Sequence, residues 1–316
     1  MESKSDFNPK KIAVIGAGPV GCIVAAFLSK GGLDVTLCDI IPELVQPAIQ
    51  PGIKIQGAEN FQAGVTRTCT QVDELADSKP DIIVVASKAN AVPLIASAIE
   101  SFYHDGMYVI SWQNGIDTER EIANVLGAKA VMRAVVNFGC NLLKPCTVSM
   151  AFHHHPHFLQ ELDPKSREIA VAICNLFSAT GLHTEHTDQI IKMVWRKTIL
   201  NACMNPVCAV TGLTMAEAMN DPIIFQIVSN LVKECIKIAR DNEIPLGWDF
   251  YPNAISYMKS SGHHKPSMLI DIEKNRKTEI EFMNGKFIEF GNQANIEAPF
   301  NTTMRALVKG LESKQK

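Results

Sequence analysis

The segment VWRKTILNACMNPVC at 194–208 is mostly apolar, yet Lys197, Asn201 and Asn205 recur in it at four-residue steps, with Pro206 directly after. On a helix, positions i, i+4 and i+8 drift by only ~40° per step and share one stripe. One reading is a partly exposed polar face of an amphipathic helix. The other is chemical. Hydride delivery to a ketone creates an alkoxide that needs a proton donor. A lysine shielded from water by apolar neighbours can have its pKa lowered towards ~7–8 and serve as that general acid. Two carboxamides on the following turns can hydrogen-bond a carboxylate, hydroxyl or carbonyl. Pro206 has no N–H, so it leaves the Ala202 carbonyl without its usual helical partner and is expected to kink the helix.

A hydride donor has its own signature upstream. Gly16-Ala-Gly18-Pro19-Val20-Gly21 is a GxGxxG loop between the apolar run KIAVIG and the helix-like PVGCIVAAFLSKGG. In that context the first glycine permits the tight turn and the second lets backbone approach a pyrophosphate. The third lets helix pack on strand, and the helix N-terminus offers free N–H groups to phosphate oxygens. Asp39 ends the next apolar run, DVTLCD, where a carboxylate can accept hydrogen bonds from the adenosine ribose hydroxyls and repel a 2′-phosphate. No Lys or Arg lies between Asp39 and Lys54. The expected cofactor is therefore NAD, with NADP as the alternative.

Two further polar positions follow apolar runs, Lys88 after DIIVVAS and Asn114-Gly115 after MYVISWQ. In a doubly wound sheet ligands sit outside the carboxyl ends of the strands, so both are candidate cofactor or substrate contacts. The bland readings are a solvated lysine and an Asn-Gly turn. His153-His154-His155-Pro156-His157 invites a metal reading. On extended chain, however, neighbours point to opposite faces and at most alternate histidines can converge. With no HExxH and no cysteine pair nearby, no metal is expected there; a polar strand end or a loop near the active site is.

The elements that must position these residues read as α/β followed by all-α. KIAVIG, DVTLCD, DIIVVAS and GMYVISW are Val/Ile-rich runs alternating with helix-like segments, the pattern of a parallel sheet covered on both faces. Strand pieces continue through AVMRAVVNFGC and TVSMAFHHH. From about residue 188 the apolar period becomes 3.6, in QIIKMVWRKTILNACMN, DPIIFQIVSNLVKECIKIARDN, SMLIDIEKNRKTEIEFMNGKFIEFGNQ and NTTMRALVKGLESK. The expected division is a Rossmann-type doubly wound domain over 1–188 and a helical substrate and dimerisation domain over 189–316. The substrate is expected between them.

The bulk properties exclude several classes. A net charge of −3 supplies no basic field for nucleic acid or an anionic membrane. No apolar run reaches the ~20 residues of a membrane span. Nine cysteines, odd in number and without a CxxC pair, read as reduced thiols of a cytoplasmic protein.

From KIAVIGAGPVG through ASKANAV and WQNG to VWRKTILNACMNP and KPSMLIDIEKNRKTEIEFMNG, the chain resembles the 2-dehydropantoate 2-reductase (ketopantoate reductase) family almost end to end. Hydroxyisobutyrate and phosphogluconate dehydrogenases share a Lys-x-x-x-Asn helix but lack the last of these segments. The resemblance implies reduction of a 2-oxo acid at C2, 2-dehydropantoate to (R)-pantoate. It implies Lys197 as general acid, Asn201 and Asn205 lining the substrate site, Ser267 binding the substrate carboxylate region and Glu279 positioning substrate, lysine and cofactor ribose. Lys88 and Asn114 would face the cofactor and reacting centre. Two features depart from the family pattern. Cys38-Asp39-Ile40-Ile41 stands where NADPH-dependent members carry a basic residue, and AFHHHPHFLQELD replaces a glycine-rich stretch. Both leave open an NAD-dependent D-2-hydroxyacid dehydrogenase of the D-mandelate type.

Overall fold

The computed structural model describes residues 7–314. The chain forms two compact units, one of the residues up to Gln113 with Asp117–Ile190, the other of Asn114–Ile116 with the residues from Ile191 onward.

The first unit contains β1 (Lys11–Ile15), α1 (Pro19–Lys30), β2 (Asp34–Cys38), the short α2 (Pro42–Val45), β3 (Ile53–Gly57), β4 (Phe61–Ala63), β5 (Arg67–Cys69) and β6 (Ile82–Val85). It continues with α3 (Val92–Glu100), β7 (Tyr108–Ser111), α4 (Thr118–Leu126), β8 (Val131–Val135), β9 (Phe138–Lys144), β10 (Thr147–His153), β11 (His157–Glu161), α5 (Arg167–Ala179) and β12 (Thr184–His186). The main sheet has the order β12-β11-β8-β7-β6-β1-β2-β5. Its strands from β5 to β8 pair in parallel, and β11 is antiparallel to β8.

The Val/Ile runs are continuous because both faces are covered. On β1, Ile12 and Val14 enter the cluster shared with α1 and α5, while Ala13 and Ile15 enter the one shared with α3 and α4. Burying a Val or Ile side chain contributes about 1.5–3 kcal/mol, so the alternation fixes the register of this strand. Strand order reverses between β1 and β6, which places a crevice outside their carboxyl ends.

A second, four-stranded sheet of order β4-β3-β10-β9 stands beside the first. The expected strand AVMRAVVNFGC divides into β8 and β9, and TVSMAFHHH becomes β10 of the small sheet. The strands β3, β4, β5, β11 and β12 were not expected. They are short, and β3 alternates buried and exposed residues instead of presenting a continuous apolar run.

The second unit is helical. It contains α6 (Ile190–Thr211), α7 (Met215–Asn220), α8 (Pro222–Asp241), α9 (Phe250–Ser260), α10 (Ser267–Glu273), α11 (Asn284–Gln293) and α12 (Pro299–Ser313). Local chemistry starts these helices. Thr214 and Glu217 form a reciprocal capping box on α7, and the Asp221 carboxylate accepts from the N–H groups of Ile223 and Ile224 at the start of α8. The periodic stretch SMLIDIEKNRKTEIEFMNGKFIEFGNQ is not one helix. Exposed residues 273–277, with Asn275 at φ +51, end α10, and a short 3-10 turn precedes α11. Among the described residues no helix is long and apolar enough to cross a membrane.

Candidate active site

In the first unit the Gly loop runs from the end of β1 into α1. Gly21 packs so closely that an added Cβ would lie 1.8 Å from the Gly16 carbonyl oxygen, so only glycine fits. Gly18, by contrast, has nothing within 4 Å of where its Cβ would be. It is the N-cap of α1, no side chain caps that terminus, and no acidic residue stands in the first turn. Pro19 occupies the first turn, where its missing N–H costs nothing. The N–H groups of Val20 and Gly21 lie in that same turn, where helical geometry supplies no intrahelical acceptor. Open space over Gly18 and an uncapped, positively polarised helix end suit a pyrophosphate.

Asp39 does more than end the second strand. Its Oδ2 accepts the Ala17 N–H at 2.7 Å and its Oδ1 accepts the Ile41 N–H at 3.0 Å, so the carboxylate ties the Gly loop to the turn after β2. Each oxygen keeps a lone pair for a further donor. The strand beside β2 brings Cys69, Thr70 and Gln71 to that edge, none of them basic, and its Arg67 pairs two residues back at Thr36. Lys88 lies half-buried just beyond β6, and the adjacent Ser87 backbone packs on Gly16. These residues gather at the β1/β6 crevice.

The histidines meet near the start of β11. One nitrogen each of His153, His155 and His157 lies within 4.8 Å of the others, the alternate set that extended geometry allows. The hydrogen bonds assign their protons. The Asn137 N–H donates to His157 Nδ1 at 3.1 Å, so a neutral His157 carries its proton on Nε2. That Nε2–H faces His153 Nε2 at 3.1 Å, and His153 Nδ1–H then faces Glu59 Oε1 at 3.3 Å. The network is a chain of two imidazoles ending on a carboxylate. Burial pushes the His153 pKa down, against a partial offset from Glu59.

In the second unit α6 carries the polar stripe. Its apolar side is anchored by Trp195, which packs edge-on against Phe287 at 5.5 Å and tilted against Phe290 at 4.8 Å. Lys197 and Asn201 are half-buried and Asn205 is buried, its Nδ2 lying 3.9 Å from Met283 Sδ. Asn114 belongs to this unit. The Ile116 N–H donates to the Phe282 carbonyl at 3.1 Å, and a Cβ on Gly115 would lie 2.8 Å from that same oxygen. The Asn-Gly pair is thus docked on the turn that starts at half-buried Glu279. Thr278 is held in turn by Glu312, which accepts its N–H at 2.8 Å and its hydroxyl at 2.7 Å. Ser267 is exposed at the start of α10.

Comparison with known proteins decides the family. The model of the ketopantoate reductase PanE/ApbA family matches residues 12–163, and the model of its C-terminal domain matches residues 189–312. The chain belongs to the ketopantoate reductase family. A relative named 2-dehydropantoate 2-reductase from Pyrococcus horikoshii is 32% identical over 96% of this chain and 98% of its own. One of the same name from Archaeoglobus fulgidus is 26% identical over the same shares. Among solved structures, a ternary structure of D-mandelate dehydrogenase with NADH and anilino(oxo)acetate superposes with a TM-score of 0.88 at 26% identity, covering 96% of this chain and 99% of that one. A ketopantoate reductase from Ralstonia eutropha JMP134 reaches 0.85 at 24% identity over the same shares, which speaks to the fold.

Two polar groups of this family member escaped the sequence reading. Arg133, 3% exposed, donates to the Gln113 carbonyl at 2.9 Å, immediately before Asn114, and bonds the hydroxyls of Ser111 and Thr118. Asn284 sits fully buried at the first position of α11. Arg133 lies in the apolar run AVMRAVV, whose neighbours could have marked it as buried; nothing local marks Asn284 so.

Proposed function

We propose that this chain is an NAD-dependent 2-oxo acid reductase that converts 2-dehydropantoate to (R)-pantoate. The observation that carries the reading is the α6 stripe of Lys197, Asn201 and Asn205, in a chain similar along its whole length to proteins named 2-dehydropantoate 2-reductase. A bound nicotinamide supplies the hydride to C2 of the substrate. Residues of the chain do the rest. Gly16, Gly18, Pro19, Val20 and Gly21 receive the pyrophosphate, Asp39 the adenosine ribose, and Lys88 and Asn114 the nicotinamide end. Lys197 Nζ gives a proton to the C2 oxygen as negative charge develops there, a role typically worth 10²–10⁴ in rate. Asn201, Asn205 and Ser267 orient the substrate's polar groups, and Glu279 holds the lysine and the cofactor ribose.

Preference for NAD rests on Asp39 and on the lack of a basic residue beside it at the sheet edge. The same preference favours a second reading, a D-2-hydroxyacid dehydrogenase acting on branched or aromatic 2-oxo acids. That reading draws on the similarity to the NADH complexes of D-mandelate dehydrogenase. Initial rates for ketopantoate, benzoylformate, 2-oxoisovalerate and smaller oxo acids, each with NADH and NADPH, test both. Highest kcat/KM for ketopantoate with NADH is expected. Highest kcat/KM for benzoylformate selects the second reading, and no turnover with any oxo acid refutes both.

A further inference from the structure

Pro206 stands inside α6, so the Ala202 carbonyl, four residues earlier, loses its usual helical donor. The structure supplies a donor from elsewhere. Asn284 Nδ2 lies 3.0 Å from the Ala202 oxygen and 2.9 Å from Asn301 Oδ1. Both hydrogens of that amide are therefore used, while its own Oδ1 is buried without a partner. The pattern fixes the orientation, because a flipped amide would turn its oxygen towards two acceptors. Asn301 is held from behind. Its Nδ2 donates to Glu234 Oε1 at 2.8 Å, and the same carboxylate accepts the N–H groups of Phe300 and Asn301 at the start of α12. Asn284 and Asn301 are both fully buried.

The bonded carbonyl has a telling address. Ala202 follows Asn201 directly and lies between the Lys197–Asn201 part of the stripe and Asn205. Met283, next to Asn284, also meets the Asn205 amide. We infer that Asn284 is a positioning residue for the reaction: its amide replaces the backbone bond that Pro206 deletes and thereby sets Asn205 relative to Lys197 and Asn201. An Asn at the start of one helix thus completes another helix at the point where the polar stripe crosses the proline.

The inference rests on the proposed role of Lys197, and the experiment separates the two. Wild type, Lys197→Ala, Asn284→Ala, Pro206→Ala and the Asn284→Ala/Pro206→Ala double variant are compared by kcat and KM for ketopantoate and by NADH affinity. Asn284→Ala should lower kcat about tenfold or more with NADH affinity within about twofold of wild type, as expected when a general acid loses its alignment. Pro206→Ala returns an N–H to the Ala202 carbonyl, so adding Asn284→Ala to it should change kcat by less than about threefold. Such coupling is the mark of a shared bond, and a merely space-filling role would not produce it. An equal loss in both backgrounds, or wild-type kcat in Asn284→Ala, overturns the inference. Should Asn284→Ala fold only alongside Pro206→Ala, that rescue supports it; folding in neither background overturns it. Near wild-type turnover in Lys197→Ala sinks the functional reading instead.

Discussion

Replacing Asp39 with Asn separates the strut that the structure shows from the charge proposed to discriminate between cofactors. As a strut, Asp39 accepts the Ala17 N–H at 2.7 Å and the Ile41 N–H at 3.0 Å. Hydrogen bonds to a charged acceptor are worth about 1.5–3 kcal/mol and neutral ones about 0.5–1.5. The amide also turns an NH₂ towards one of the two donors. A loss of about 1–2 kcal/mol in loop order follows, which weakens NADH and NADPH alike by roughly 5–30-fold. As a charge, Asp39 would repel the 2′-phosphate of NADPH, beside the hydrogen bonds it would accept from a ribose. A 2′-phosphate of about −2 placed ~5 Å from the carboxylate is repelled by ~1.7 kcal/mol even at the dielectric constant of water. Removing that repulsion should favour NADPH by a factor of ~15. In fluorescence titrations, Asp39→Asn should therefore bind NADH roughly 5–30-fold more weakly, while the ratio of the NADPH to the NADH dissociation constant falls by about tenfold or more. An unchanged ratio would refute the charge argument and leave Asp39 as a strut only. An unchanged NADH affinity would refute the strut.

Lys197→Ala should lower kcat by ~10²–10⁴ while leaving NADH affinity within about twofold, checked by steady-state rates beside cofactor titration; a smaller loss removes the lysine from its role as general acid. Gly21→Ala places a methyl 1.8 Å from the Gly16 oxygen, so the loop must shift and NADH binding should be lost even if the protein folds. Tight NADH binding in that variant would show that the loop does not hold the cofactor. Burial lowers the His153 pKa in the folded state, so the unfolded chain binds the extra proton first as pH falls. Stability from this group is full above the unfolded value of about 6.5 and declines below it. Urea midpoints between pH 8 and 5 should fall on the acid side, and His153→Asn should flatten that slope; parallel profiles would contradict the His–His–Glu chain.

Strands β1, β2, β6 and β7 of the main sheet were legible because they are buried on both faces and largely apolar, as in the IIVV of β6, whereas the polar and short β5, β11 and β12 at its two edges were not. Nor was the smaller sheet. Its β3 pairs with β10, Lys54 opposite Thr147, across most of the first unit, and no local periodicity announces a partner that distant. The Asn-Gly after β7 shows a subtler limit. The sequence marks it as a turn at a strand end, which it is. What the sequence does not carry is the bond from Ile116 to Phe282, which ties the loop holding Asn114 to the helical unit.

The stripe on α6 is the converse case, where sequence exposes a demand but not its supplier. Helical spacing alone puts Lys197, Asn201 and Asn205 on one side, and Pro206 alone leaves the Ala202 carbonyl needing a donor. Burying that oxygen unpaired would cost about 1–3 kcal/mol, a large share of the 5–15 kcal/mol that holds a typical domain folded. A donor other than the residue at 206 was therefore called for, and the Asn284 side chain supplies one. In sequence, Asn284 lies within a stretch of helical apolar period and nothing there assigns its amide a partner. In the fold it opens α11, buries its amide completely and meets the demand. The proline and the distant asparagine are two halves of one device, and neither half is intelligible without the other. That dependence is why replacing Pro206, a change remote from Asn284 in sequence, is expected to make Asn284 nearly dispensable for kcat, though not for its bond to Asn301.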